Sequence, residues 1–194
     1  MRKLVLCAVI LVVGATGAWA QAVTGFSGGA EYASYYGDPN GDVIGYRFTV
    51  ASPLQVSDLG VWNADTAAGG AGLTSDHQVG IWDSSQTLLT SVTVTPAGTP
   101  VGDWMYTPIT PIVLNPGEMY TIGALYLSDD NDQYISGASS MTTDPEVTWL
   151  VSVYPAAGDL GFVYPTEDST SFGRFGPNFL LTVVPVELQS FTIE

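Results

Sequence analysis

Two short acidic stretches carry the densest potential for chemistry in this 194-residue chain. DPNGD at 38–42 places the side-chain oxygens of Asp38, Asn40 and Asp42 at alternate positions, as the opening of a calcium-binding loop does. The EF-hand pattern then breaks, because Val43 stands at its glycine position and Thr49 at its bidentate glutamate position. DDND at 129–132 gathers Asp129, Asp130, Asn131 and Asp132, whose mutual repulsion a hard divalent cation would relieve. Calcium is the one cofactor these loops would take, and the competing reading is that such acids are simply solvated.

Other reactive groups are scarce. His77 is the only histidine, and a transition-metal site wants several nitrogen or sulfur ligands. A Ser-His-Asp hydrolase would have to be assembled around that one imidazole. A glycosidase needs only two opposed carboxylates, and Glu31, Glu118, Glu146 and Glu167 are candidates, but no spacing pairs any two of them. Enzymatic activity is therefore not expected. Aromatic side chains offer a different chemistry. EYASYYGDPNGD at 31–42 sets Tyr32, Tyr35 and Tyr36 beside polar loop residues, the combination with which sugar-binding sandwiches meet a pyranose face and its hydroxyls. Trp62, Trp82, Trp104 and Trp149 lie in or beside apolar strand patterns, and Trp82 in QVGIW is expected in the core.

The elements that must position these residues are strands. YRFTV (46–50), LQVSDLGVW (54–62), QVGIW (78–82), TLLTSVTV (87–94), WMYTPITPIVL (104–114), MYTIGALY (119–126), 147–154 and 179–184 read as strands separated by turn residues. Pro108 and Pro111 cannot donate to a ladder, so 104–114 is an edge or interrupted strand. Asp83 to Gln86 turns one strand back on the next, and NPGE at 115–118 makes another turn. In the hairpin 75–94, Val79, Ile81 and alternate residues of the return strand should face the core. No stretch carries helical apolar spacing. The fold class expected is all-β, a single antiparallel β-sandwich with jelly-roll-like connections. An immunoglobulin-like arrangement is the alternative, without its cysteine pair.

Residues 1–20 read as a secretory signal peptide: Arg2 and Lys3, an apolar run from 4 to 13, and Ala18-Trp19-Ala20 at the cleavage positions. Cys7 falls inside the apolar run and leaves with it. Residues 21–44 join the sandwich, 45–184 form it, and 185–194 are a C-terminal tail. After cleavage two arginines, Arg47 and Arg174, face 19 acidic residues, a formal charge of −17 with no lysine and no cysteine. Such a surface repels phosphate backbones, which excludes nucleic acid as a partner, and no transmembrane segment is expected after cleavage. Export places the protein outside the cell, at the cell surface or in the periplasm.

GYRFTVASPLQVSDLGVWN, GLTSDHQVGIWDSSQTLLTSVTV and WMYTPITPIVLNPGEMYTIGAL, all between Gly45 and Leu125, together resemble a family of exported bacterial β-sandwich domains of unknown function. Those domains recur in proteins with PEP-CTERM-type sorting tails and in modular surface or polysaccharide-associated proteins. The resemblance implies an extracellular β-sandwich and no catalytic residues; Gly80, Asp83, Gly117 and Tyr120 would be turn and core determinants. VVPVELQSFTIE at the end resembles a stretch found near the C-termini of many exported bacterial proteins, so the tail is a last strand, a short sorting element or a truncated end.

Three functions fit, in this order: a non-catalytic binding or adhesion module, possible partners being extracellular polysaccharide or cell-surface proteins; a structural matrix or cell-surface protein acting through protein contacts; and an enzyme. Ligand contacts should fall in the loops at 31–42, 63–76 and 127–146.

Overall fold

A computed structural model describes residues 19–33, 41–63, 72–127, 132–169 and 173–184. Among them are fourteen strands and no helix: β1 (Ala20–Gln21), β2 (Val23–Ala33), β3 (Asp42–Val50), β4 (Leu54–Trp62), β5 (His77–Trp82), β6 (Leu88–Val94), β7 (Thr99–Val101), β8 (Trp104–Leu114), β9 (Met119–Tyr126), β10 (Gln133–Thr143), β11 (Val147–Tyr154), β12 (Glu167–Ser169), β13 (Gly173–Phe175) and β14 (Pro177–Val183). They form three antiparallel sheets, ordered β1-β14-β4-β8-β7, β12-β11-β3-β9-β5-β6 and β13-β10-β2. The chain crosses between the two large sheets after β3, β4, β6 and β8, which is the jelly-roll manner of wiring a β-sandwich.

Period-two patterning explains the core. Ile44, Tyr46, Phe48 and Val50 of β3, Val79 and Ile81 of β5, and Tyr120, Ile122 and Ala124 of β9 pack against Leu54, Val56, Leu59 and Val61 of β4 and Phe179 and Leu181 of β14. The three-stranded sheet closes one end with aromatics. Phe26 stacks on Phe175 with centroids 5.0 Å apart and meets Trp62 edge-on at 5.9 Å, while Trp62 and Trp104 cross at 4.9 Å.

The 104–114 strand forms as one element, and its prolines sit where the ladder permits them. Val56 pairs with Ile112 and Asp58 with Pro108, so the register slips by bulging between them, and β7 covers only residues 104–106 on the other side. The hairpin of β5 and β6 turns on Asp83, whose Oδ1 accepts the amides of Ser85 and Thr87 at 2.8 and 2.9 Å. Val79, Ile81 and Val94 reach the core as their alternation requires, whereas Leu88 and Leu89 stay exposed.

Trp82, expected in the core, is buried instead on the sheet face opposite Val79 and Ile81, where strand alternation puts it. It lies outside the cluster between the sheets and is covered by residues 162–164, with Phe162 at 5.1 Å and Tyr164 at 6.1 Å. Gly45, Gly123 and Gly80 are paired in a row across β3, β9 and β5; Gly123 lies beneath the Trp82 ring and Gly80 beneath the covering segment. A Cβ on Gly80 would meet the Phe162 ring at 2.8 Å. Arg47 ties the segment down through an ion pair with Asp168 and a contact 5.9 Å from the Tyr164 ring.

Candidate functional site

A concavity among the described residues opens where β3 begins, β11 ends and β13 passes. It holds about 300 Å³ and is lined by Asp42, Tyr154, the turn at 155–160 and Arg174. Each side chain arrives from a different element. Asp42 is the first residue of β3 and Tyr154 the last of β11. The turn is closed by Asp159 N–H donating to the Ala156 carbonyl at 3.0 Å, with Gly158 at φ +98° where other residues would be strained. Asp159 and Leu160 form its exposed rim.

Arg174 is placed by a β-bulge. Ile135 pairs with Phe175 and Ser136 with Gly173, so Arg174 is the extra residue between two ladder rungs. Its φ is +79°, a left-handed conformation that glycine adopts freely and arginine does not. The guanidinium carbon lies 4.5 Å from the centroid of Tyr154, in cation–π contact. The concavity thus joins two carboxylates with a guanidinium that lies over a ring, groups that can accept hydroxyl protons and donate in a planar fork.

A second polar cluster is sealed inside the fold. His77 has no exposed surface; its Nδ1 lies 2.8 Å from the Leu125 carbonyl and its Nε2 2.9 Å from Asp132 Oδ2. A carbonyl can only accept, so Nδ1 carries a proton. The ring also packs 4.6 Å from Tyr126. Asp132, 4 % exposed, accepts further bonds from Thr74 N–H (2.8 Å), Thr74 Oγ1 (2.9 Å) and Ser75 N–H (2.8 Å). Burial alone would raise its pKa, but hydrogen bonds from His77, Thr74 and Ser75 outweigh burial and hold the carboxyl below its ordinary value. This cluster pins residues 72–77 to the start of β10. Its imidazole is out of reach of any substrate.

A scan against family models matches residues 31–172 to a domain of unknown function, DUF4082. The chain belongs to that family. No curated protein and no solved structure matches it. The DUF4082 match takes in Asp42, His77, Asp132, Tyr154 and Asp159, and ends two residues before Arg174.

Within this DUF4082 domain the sequence-predicted site residues are dispersed. Tyr32 lies in β2, its backbone opposite Tyr134 of β10. Tyr35, Tyr36, Asp38, Asn40, Asp129 and Asp130 fall outside the described residues. Asp42 lines the concavity, whereas Asp132 is engaged in the buried histidine cluster, with both carboxylate oxygens on protein donors. Among the described residues no group of three or more His, Cys, Asp or Glu side chains is arranged to hold a metal. The glutamates serve separate places: Glu31 accepts from Trp62 Nε1 at 3.3 Å, Glu118 from the Tyr120 hydroxyl at 3.2 Å, and Glu146 from Ser52 Oγ at 2.7 Å. GFSGG at 25–29 has the G-x-S-x-G spacing, but it lies in extended β2 and Ser27 pairs with Ser140, whereas a nucleophile elbow needs a sharp strand-to-helix turn.

Sequence reasoning did not single out Tyr154, Asp159 or Arg174 as site residues. One signal was present: Arg174 is one of two arginines in residues 21–194, and a cation that scarce among 19 acids marks a position.

Proposed function

We propose that the chain is a secreted, non-catalytic binding module of the extracellular space or cell surface, and that its ligand is an extracellular carbohydrate bound in the concavity of Asp42, Tyr154, Asp159 and Arg174. The juxtaposition of Tyr154 with charged hydrogen-bonding groups from three other segments carries this reading. A volume of about 300 Å³ is at the small end of ligand clefts and suits one sugar ring of a chain whose other rings lie outside. The exported bacterial setting belongs to the same reading and rests on the leader-like residues 1–20 and on the resemblance in 45–125.

The alternative is a structural protein that acts by protein–protein contacts. One observation favours it: β6 ends its sheet with no strand beyond it among the described residues, carries no charge, and exposes Leu88 and Leu89.

A single experiment separates the two. The protein recovered after export is run through affinity electrophoresis in gels loaded with neutral and acidic polysaccharides, beside a Tyr154→Ala variant, and its mass is followed by sedimentation over a concentration series. Retardation by a polysaccharide, lost at least tenfold in Tyr154→Ala, supports the module. Unretarded migration in every gel, with a mass that grows with concentration, replaces it with the structural reading.

A further inference from the structure

The geometry points to an acidic sugar as the ligand, with Arg174 binding the carboxylate of a uronic acid residue; this rests on the carbohydrate reading above and names the ligand class. The two arginines of the folded domain make the case by contrast. Arg47 is matched by the protein itself: it pairs with Asp168, its Nη2 donates to the Thr166 carbonyl at 3.3 Å, and it fixes the segment over the outer sheet face. Among the described residues Arg174 has no such match. In a chain with 19 acidic residues, no carboxylate of the described residues makes an ion pair with it, although Asp42 and Asp159 line the same concavity. Among the described residues its guanidinium meets the ring of Tyr154, and that contact leaves its five N–H donors available to a ligand.

The backbone shows that this placement is maintained against local preference. Arg174 occupies the extra position of a bulge at φ +79°, where glycine or asparagine would sit without strain. Bulges re-aim side chains, and strained residues persist where the surrounding structure holds them for a purpose. Here the re-aimed residue is an arginine in the lining of a cleft.

Three features select a carboxylated sugar. A guanidinium edge matches a planar carboxylate with two parallel hydrogen bonds. The flanking Asp159 is an exposed acceptor for ring hydroxyls, and the charge of Asp42 and Asp159 disfavours a dianionic phosphate more than a monoanionic carboxylate. The formal charge of −15, or −17 once residues 1–20 are removed, repels anions in general, so an anion that binds must be recognised by contact and not by field.

The test uses isothermal titration of the exported protein with a hexuronate oligosaccharide and with the same oligosaccharide after reduction of its carboxyl groups to primary alcohols. Both titrations are repeated on Arg174→Gly, a substitution suited to the left-handed backbone, with a thermal melt to verify folding. The wild type should bind the uronate about tenfold or more tightly than the reduced form, and Arg174→Gly should bring the two affinities together by weakening only the uronate. Equal wild-type affinities overturn the inference and leave carbohydrate binding intact. A uronate preference that survives in folded Arg174→Gly overturns it as well, since the carboxylate is then read elsewhere. Binding of neither oligosaccharide, together with none in the polysaccharide gels, removes both this inference and the reading beneath it.

Discussion

At the scale of single residues, the chain spends its one histidine on architecture. Asp132 is buried and satisfied from four directions, by two backbone amides, a hydroxyl and an imidazole. Removing it strands all four groups, so Asp132→Ala should cost on the order of 3 kcal/mol, a fall in Tm of about 6–12 °C for a chain of this size. The pH dependence has a fixed sign. The folded carboxyl lies below its ordinary value, so its contribution is complete above the unfolded pKa of about 3.9 and is lost as pH falls through the lower folded value. Thermal melts of wild type and Asp132→Ala should therefore differ by a constant gap at pH 5–7 that narrows below about pH 4. A gap that stays constant down to pH 2 would mean the bonds matter equally in both protonation states.

At the scale of elements, the segment between β11 and β12 behaves as a third layer over the six-stranded sheet. Phe162 sits on the glycine row and on Trp82, and Tyr164 donates or accepts at 3.2 Å with Thr121. Phe162→Ala should remove part of that cover. With the ring half-buried the expected loss is about 2 kcal/mol, below the 3–5 kcal/mol of a fully buried phenylalanine. Trp82, now 4 % exposed, should red-shift its emission in the folded variant; an unchanged spectrum would show that β-sheet neighbours alone bury it. This layer also marks where the sequence stops being legible. Strands with clean alternation, such as 46–50, 54–62 and 78–82, can be read because one face is apolar and the other is not. β2 (VTGFSGGAEYA) and β10 (QYISGASSMTT) cannot, because glycine and serine blur the period and their stability comes from pairing with each other. The candidate site is harder still. Asp42, the 154–159 segment and Arg174 are separated in the chain, and the bulge that aims Arg174 is a property of two strands' registers, which one strand's sequence does not encode.

At the scale of the whole molecule, the charge imbalance sets the response to salt. Two arginines face 19 carboxylates after the expected cleavage, so almost every long-range pair on the surface is repulsive. Folding compresses these charges; unfolding spreads them apart. The favourable pairs that salt could weaken are few. Arg47–Asp168 is surface-exposed on its acidic side and worth at most about 1 kcal/mol, while His77–Asp132 is buried and poorly screened. Repulsion therefore dominates, and the Debye length falls from about 30 Å at 0.01 M salt to about 8 Å at 0.15 M, within the diameter of the domain. Melting at pH 7 in sodium chloride should show Tm rising over this interval and levelling off beyond it, with potassium chloride giving the same curve because screening depends on ionic strength alone. A Tm that falls with added salt would mean that specific pairs outweigh self-repulsion, and that the carboxylates are arranged around cations instead of away from one another.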